Sequence, residues 1–132
     1  ANGETVGPGG GGGGAVIFFT KSINITGGVS LNGGTSANQA GGNSATAGGG
    51  AGGAFLVACQ TGTLGATLIT AIGGVAGEES SNAADGGDGA VGRIAVHHSQ
   101  AVTGTTSPVF TDVTDSSLVE VSGSLDLTSK YW

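Results

Sequence analysis

Three segments of this chain open an apolar run directly after a glycine, and they do so at a fixed interval. The runs start at Ala15, Ala54 and Arg93, each 39 positions after the last, behind Gly14, Gly53 and Gly92. The register holds upstream: Gly9, Gly48 and Gly87 align, as do Gly11, Gly50 and Gly89, Asn43 with Asn82, and Ala51 with Ala90. A period of this size marks supersecondary units that cannot bury their apolar faces alone and gain a core by lying on one another. The chain is therefore expected to be all-β: a glycine-rich repeat stack, solenoid- or sandwich-like. About two and a half units span residues 1–99, and residues 100–132 form a small C-terminal β-arm.

Within a unit, a glycine block (Gly9 to Gly14, or Gly48 to Gly53) leads into a strand (Ala15 to Thr20, or Ala54 to Cys59). Both faces of these strands are apolar, which predicts burial on both sides. The alternating run Ser22 to Thr26 puts Ile23 and Ile25 on one face. Gly27-Gly28 then turns the chain into Val29-Ser30-Leu31, and Asn32-Gly33 is a tight-turn signal. Thr67 to Thr70 and Gly73-Gly74 repeat this plan loosely. No helical periodicity is present. The C-terminal arm offers candidate strands at Pro108 to Val113, Leu118 to Val121 and Leu125 to Thr128.

Six consecutive glycines exceed what a turn requires, and each costs entropy on folding. Glycine fills 30 of 132 positions, about three times its ordinary share of ~7%. The blocks act either as flexible hinges or as extended polyglycine segments packed side by side, close enough for backbone hydrogen bonds because no Cβ intervenes. Recurrence in register favours packing. Gly11, Gly14, Gly50, Gly53, Gly89 and Gly92 are the candidate structural glycines.

Only 9% of residues are charged, against ~25% in ordinary soluble domains. A surface with so little charge is expected to be covered by partners. Formal net charge is −6, with three cations in all; nucleic acid and polybasic membrane contact are not expected. No run of apolar residues is long enough to span a bilayer. Cys59 is the one cysteine, so neither an intrachain disulfide nor a thiolate metal cluster can form, and it reads as a small buried hydrophobe. Low Lys and abundant Thr, Ser, Asn and Gly suit an exported protein. The start at Ala1 fits removal of a leader, or of the initiator Met.

The segment Gly86-Gly87-Asp88-Gly89-Ala90-Val91-Gly92-Arg93-Ile94-Ala95-Val96, followed by Gly104-Thr105-Thr106-Ser107-Pro108, resembles the end of glycine-rich β-repeat modules. Such modules occur in bacterial surface proteins and phage tail-fibre proteins. The resemblance covers roughly residues 9–108. It implies a glycine-rich β-architecture and placement outside the cell, on a cell surface or on a virion surface. It brings no catalytic residue with it.

Chemistry-bearing constellations are few. His97 and His98 are adjacent on an expected strand and point to opposite faces, so one metal cannot take both. Ser99, His98 and Asp112 contain the residue types of a nucleophilic triad, without a nucleophile motif around Ser99. Glu78, Glu79, Asp85 and Asp88 form the one acidic cluster; its spacing matches no calcium loop, and a solvated acidic loop is expected. No Gly-Lys-Ser/Thr follows a glycine block, so none is a phosphate loop. Asn24-Ile25-Thr26 is a glycosylation sequon. No cofactor is expected.

These features describe a non-enzymatic structural subunit of a self-assembling extracellular or viral fibre. The expected partner is the chain itself, joined head-to-tail. Leu118, Val119, Val121, Leu125, Leu127, Tyr131 and Trp132 of the arm are the candidate assembly residues, adding strands to a neighbour's sheet edge. The alternative is an adhesin module at a fibre tip that binds a cell-surface glycan or receptor. Adhesins display exposed aromatics, whereas Phe18, Phe19 and Phe55 fall in expected core strands, which favours the structural reading.

Overall fold

Runs rich in β-branched and aromatic residues become strands here, and the glycine and polar stretches between them stay irregular. The structure is a computed structural model and describes residues 7–38, 45–78 and 85–118. Among these residues there is no helix. The strands are β1 (Ala15–Phe19), β2 (Ser22–Asn24), β3 (Val29–Ser30), β4 (Ala54–Cys59), β5 (Thr61–Thr70), β6 (Arg93–His98), β7 (Val102–Ser107) and β8 (Thr111–Thr114). One sheet has the order β1-β4-β6-β8. In the other, β5 lies between β2 and β3 on one side and β7 on the other. Every pairing is parallel.

The interval read from the sequence is the register of the first sheet. Ala15 is the Cα partner of Ala54, and Ala54 of Arg93. The second sheet follows less strictly. Ser22 pairs with Thr61, but β5 against β7 shifts register twice, between Thr63 and Ala66 and between Ala66 and Ile69. The irregularity has local causes. Gly65 and Gly104 hold φ of +72° and +115°, and Thr67 sits at +54°, a left-handed conformation that strains a β-branched residue. Thr67 is held there by its N–H, which donates to Thr105 Oγ1 at 3.0 Å.

Alternation along β4 and β6 places Phe55, Val57 and Cys59 beside Ile94 and Val96 on one face. That face packs on Leu64, Ile69 and Ala71 of the second sheet and its continuation, and on Leu31. All are buried. Ile23, Ile25 and Val29 border this core, as the alternating run predicts.

The expected two-sided burial of the apolar strands fails at β1. Ile17, Phe18 and Phe19 are 60%, 45% and 81% exposed. The reason is position: among the described residues β1 is an edge strand with a single neighbour, β4. Phe18 still meets Phe55, ring centroids 6.0 Å apart. Ile17 and Phe19 pair with Leu56 and Ala58, on the sheet face turned away from the core. In the expected C-terminal arm, β7 pairs with β5 and β8 with β6, so these strands extend the same two sheets. The strand expected at Pro108 to Val113 is observed at Thr111–Thr114. Leu118 follows a turn, and the strand expected at Leu125 to Thr128 lies outside the described residues.

Candidate functional site

The glycine blocks are joined to one another through their backbones. Gly10 and Gly13 donate N–H to the carbonyls of Gly48 (3.0 Å) and Ala51 (2.8 Å). Gly49 and Gly52 donate in the same way to Gly87 (3.0 Å) and Ala90 (2.9 Å). The donors recur every third residue, the period of a polyproline II-type extended chain. Return segments at Leu31–Ser36 and Ala71–Gly77 run antiparallel to the blocks and lie against them. Gly50 N–H donates to Gly34 O and Gly53 N–H to Leu31 O; Gly89 N–H donates to Gly74 O and Gly92 N–H to Ala71 O.

Such proximity leaves no room for side chains. A Cβ added to Gly50 would lie 2.0 Å from the Gly11 carbonyl oxygen. One on Gly89 would lie 1.9 Å from that of Gly50, and Gly53 and Gly92 meet Gly14 and Gly53 likewise at 1.9 Å. Four of the six candidate structural glycines are thus obligatory on packing grounds. Gly11 and Gly14 are not: a Cβ on Gly11 meets nothing within 4 Å, and one on Gly14 only Leu31 Cδ2 at 4.0 Å. They belong to the first block, which has no outer neighbour among the described residues. The sequence reading also missed Gly10, Gly13, Gly33, Gly49, Gly52, Gly73 and Gly74, where an added Cβ would come within 1.8–2.3 Å of a backbone oxygen. Recurrence could have found them: Gly10 and Gly13 align with Gly49 and Gly52, and Gly33-Gly34 with Gly73-Gly74.

The two ends of this glycine layer differ. At the first block, the N–H groups of Gly11 and Gly14 and the carbonyls of Gly9 and Gly12 have no backbone partner among the described residues. Their equivalents one block later are all paired. At the third block, the places of Gly10 and Gly49 fall to Asp88, and those of Gly13 and Gly52 to Val91. These side chains occupy the directions in which, at Gly49 and Gly52, a Cβ would collide with the carbonyls of Gly74 and Ala71. Asp88 Oδ1 accepts the Ala76 N–H at 2.7 Å, and Val91 is 66% exposed. At this end β8 also covers the edge of β6.

The remaining candidates resolve as follows. His98 is buried, and its Nε2 lies 2.5 Å from Asp112 Oδ1 while its Nδ1 donates to the Gln100 carbonyl. Ser99 is turned elsewhere, its hydroxyl donating to Leu118 O at 2.8 Å. Two of the three triad residue types therefore meet, but the Ser99 hydroxyl is bonded elsewhere, and nucleophilic activation of Ser99 by His98 is not built. His97 points to the opposite face, as adjacency on a strand requires. Of the acidic cluster, Glu79 lies outside the described residues. Asp88 is engaged with Ala76, and the Glu78 N–H donates to Asn38 Oδ1 at 3.0 Å. Among the described residues no group of His, Cys, Asp and Glu is arranged to hold a metal. Two hydrogen bonds from Ser117 hold the Asp115 carboxyl below the usual carboxylate range.

Cys59 is buried and unpaired, and burial pushes its thiol up from the ordinary value. No helix of the described residues is long and apolar enough to cross a membrane. Of the candidate assembly residues, Leu118 is placed beside Phe19 and Lys21 at a shallow hollow. Val119, Val121, Leu125, Leu127, Tyr131 and Trp132 lie outside the described residues. In comparisons with known proteins, the chain matches no family model, no curated protein and no solved structure.

Proposed function

We propose that this chain is a non-enzymatic structural subunit that assembles with copies of itself into an extracellular or viral fibre. On this reading the parallel pairings are the rungs of a short glycine-rich stack, and the stack is a building block rather than a finished globule. One observation carries it: the first rung ends in an edge that no described residue covers. There β1 exposes Ile17, Phe18 and Phe19, and the glycine block beside it presents backbone donors and acceptors without a backbone partner among the described residues. Exposed parallel edges template further pairing unless they are blunted, and no charged residue blunts β1 itself. The scarcity of charge points the same way. Negative-stain microscopy and sedimentation of the purified protein at increasing concentration test the reading. Assemblies that grow with concentration are expected; a chain that stays monomeric throughout would overturn it.

A second reading, an adhesin module that binds a glycan or receptor, gains from Phe19. The sequence assigned this ring to a core strand, whereas it stands 81% exposed and can stack on a ligand. Binding to immobilised glycans that is lost on Phe19→Ala, by a protein that remains monomeric, would favour it.

A further inference from the structure

We infer that the outer face of the first glycine block, Gly9 to Gly14, is a docking surface for the same face of a second copy of this chain. The inference rests on the self-assembly reading and names the surface and the geometry of the joint.

The argument starts from two glycines without an internal reason. Gly50 and Gly89 must be glycine because the preceding block lies against them, at 2.0 and 1.9 Å from an added Cβ. Gly11 stands at the same place in the first block, and among the described residues nothing lies within 4 Å of an added Cβ. Gly14 repeats this relation to Gly53 and Gly92. Glycine in an extended segment weakens it through lost entropy and packing. An approaching backbone would supply at Gly11 and Gly14 the reason that is visible at Gly50 and Gly53.

The hydrogen-bonding groups describe what approaches. Within the chain, each position equivalent to Gly11 and Gly14 donates its N–H to an antiparallel glycine-rich segment. Each position equivalent to Gly9 and Gly12 accepts from a neighbouring block. The open face therefore asks for a glycine-rich backbone that offers both carbonyls and N–H groups at close range. The face itself is such a backbone, with two donors and two acceptors that no described residue pairs, and antiparallel contact between glycine segments is already the rule inside the fold. A surface that is its own complement gives an isologous, two-fold joint.

The opposite end does not fit. Asp88 and Val91 place side chains where the next rung's carbonyls would have to lie, so the glycine layer cannot continue past the third block in the same register. A glycine-to-glycine joint is thus N-terminal face to N-terminal face, in place of the head-to-tail arrangement expected from the sequence. The C-terminal end remains to extend a fibre.

The structure also supplies a test variant that leaves the fold alone. Because nothing within 4 Å opposes a Cβ on Gly11, and Gly14 meets only Leu31 Cδ2 at 4.0 Å, Gly11→Val with Gly14→Val should fold. Sedimentation velocity on the full chain at micromolar concentration should show a dimer for the wild type. The double variant should be monomeric, with an unchanged circular-dichroism spectrum and melting temperature. Replacing Asp88 and Val91 by glycine, at the other end, should leave the wild-type dimer in place. If the wild type assembles and the folded Gly11/Gly14 variant assembles equally well, this face is not the joint, while self-assembly stands. A wild type that stays monomeric overturns both.

Discussion

Gly50 lies directly over Gly11: a side chain added to Gly50 would come 2.0 Å from the Gly11 carbonyl oxygen, whereas one added to Gly11 enters open space. Two glycines in the same register therefore have different worth to the monomer. Gly50→Val should cost several kcal/mol or prevent folding, because backbone on both sides is fixed by hydrogen bonds and cannot yield. Gly11→Val should change stability by no more than about 0.5 kcal/mol, as for a surface site. Chemical denaturation of the two variants, under conditions where both are monomeric, decides this. A Gly50→Val cost as small as that of a surface site would mean that the blocks are loose connectors, and an equally large cost at Gly11 would mean that its outer face is packed too.

This difference also marks how far the sequence was legible. The interval between Ala15, Ala54 and Arg93 translated directly into strand register, since parallel pairing of like units aligns like residues. What the interval cannot show is which unit stands at an end. Ala15 to Phe19 reads as apolar as Ala54 to Cys59, yet one is an edge and the other is flanked on both sides. Burial is a property of neighbours, and among the described residues the first unit lacks one on its outer side. The sequence offers His98 and Asp112 only as residue types alongside Ser99, and that these two pair directly is not legible there for a different reason. Their meeting depends on β8 turning back onto β6 after Ser107, a step that falls outside the periodic pattern.

Phe19 and Phe55 give the second prediction. They lie on neighbouring strands, but Phe55 faces the core and is 1% exposed, whereas Phe19 pairs with Ala58 on the opposite face and is 81% exposed. Phe55→Ala removes a fully buried ring and should cost about 3–5 kcal/mol. Phe19→Ala should be nearly neutral to the monomer, within about 0.5 kcal/mol. Urea unfolding followed by circular dichroism measures both. A large loss at Phe19 would show that its ring is buried in solution.

Cys59 supports a third. Its thiol is buried in the core and is pushed above the ordinary value by desolvation. Native protein should resist alkylation at pH 8, and unfolded protein should react quickly, because only the thiolate is the nucleophile. The sign of the linkage follows. The folded state disfavours the thiolate, so its contribution to stability is full below the unfolded value, about 8.5, and is lost as pH rises from there toward the folded value. Replacement by Ala or Val removes that alkaline decline from this group. Rapid labelling of native protein at pH 8 would contradict the placement.

The last prediction concerns the pair that ties β8 to β6. His98 is buried on β6, and Asp112 on β8 is 62% exposed at its side chain, with Nε2 and Oδ1 2.5 Å apart. Nδ1 donates to the Gln100 carbonyl, an oxygen that can only accept, so the proton on that nitrogen is assigned by geometry. Nε2 faces the Asp112 carboxyl. Because Asp112 stands in water, screening limits the coupling, and a double-mutant cycle of His98→Ala and Asp112→Ala should give about 1 kcal/mol. His98→Ala alone should cost more than Asp112→Ala, since it also empties a buried site. Asp112→Asn should fall between wild type and Asp112→Ala: the amide can still hydrogen-bond Nε2, without the charge. Hydrogen exchange gives the local readout, with amides of Thr111–Thr114 losing protection in Asp112→Ala while those of β4 keep theirs. A coupling indistinguishable from zero, with β8 equally protected in both proteins, would show that backbone pairing alone holds this strand.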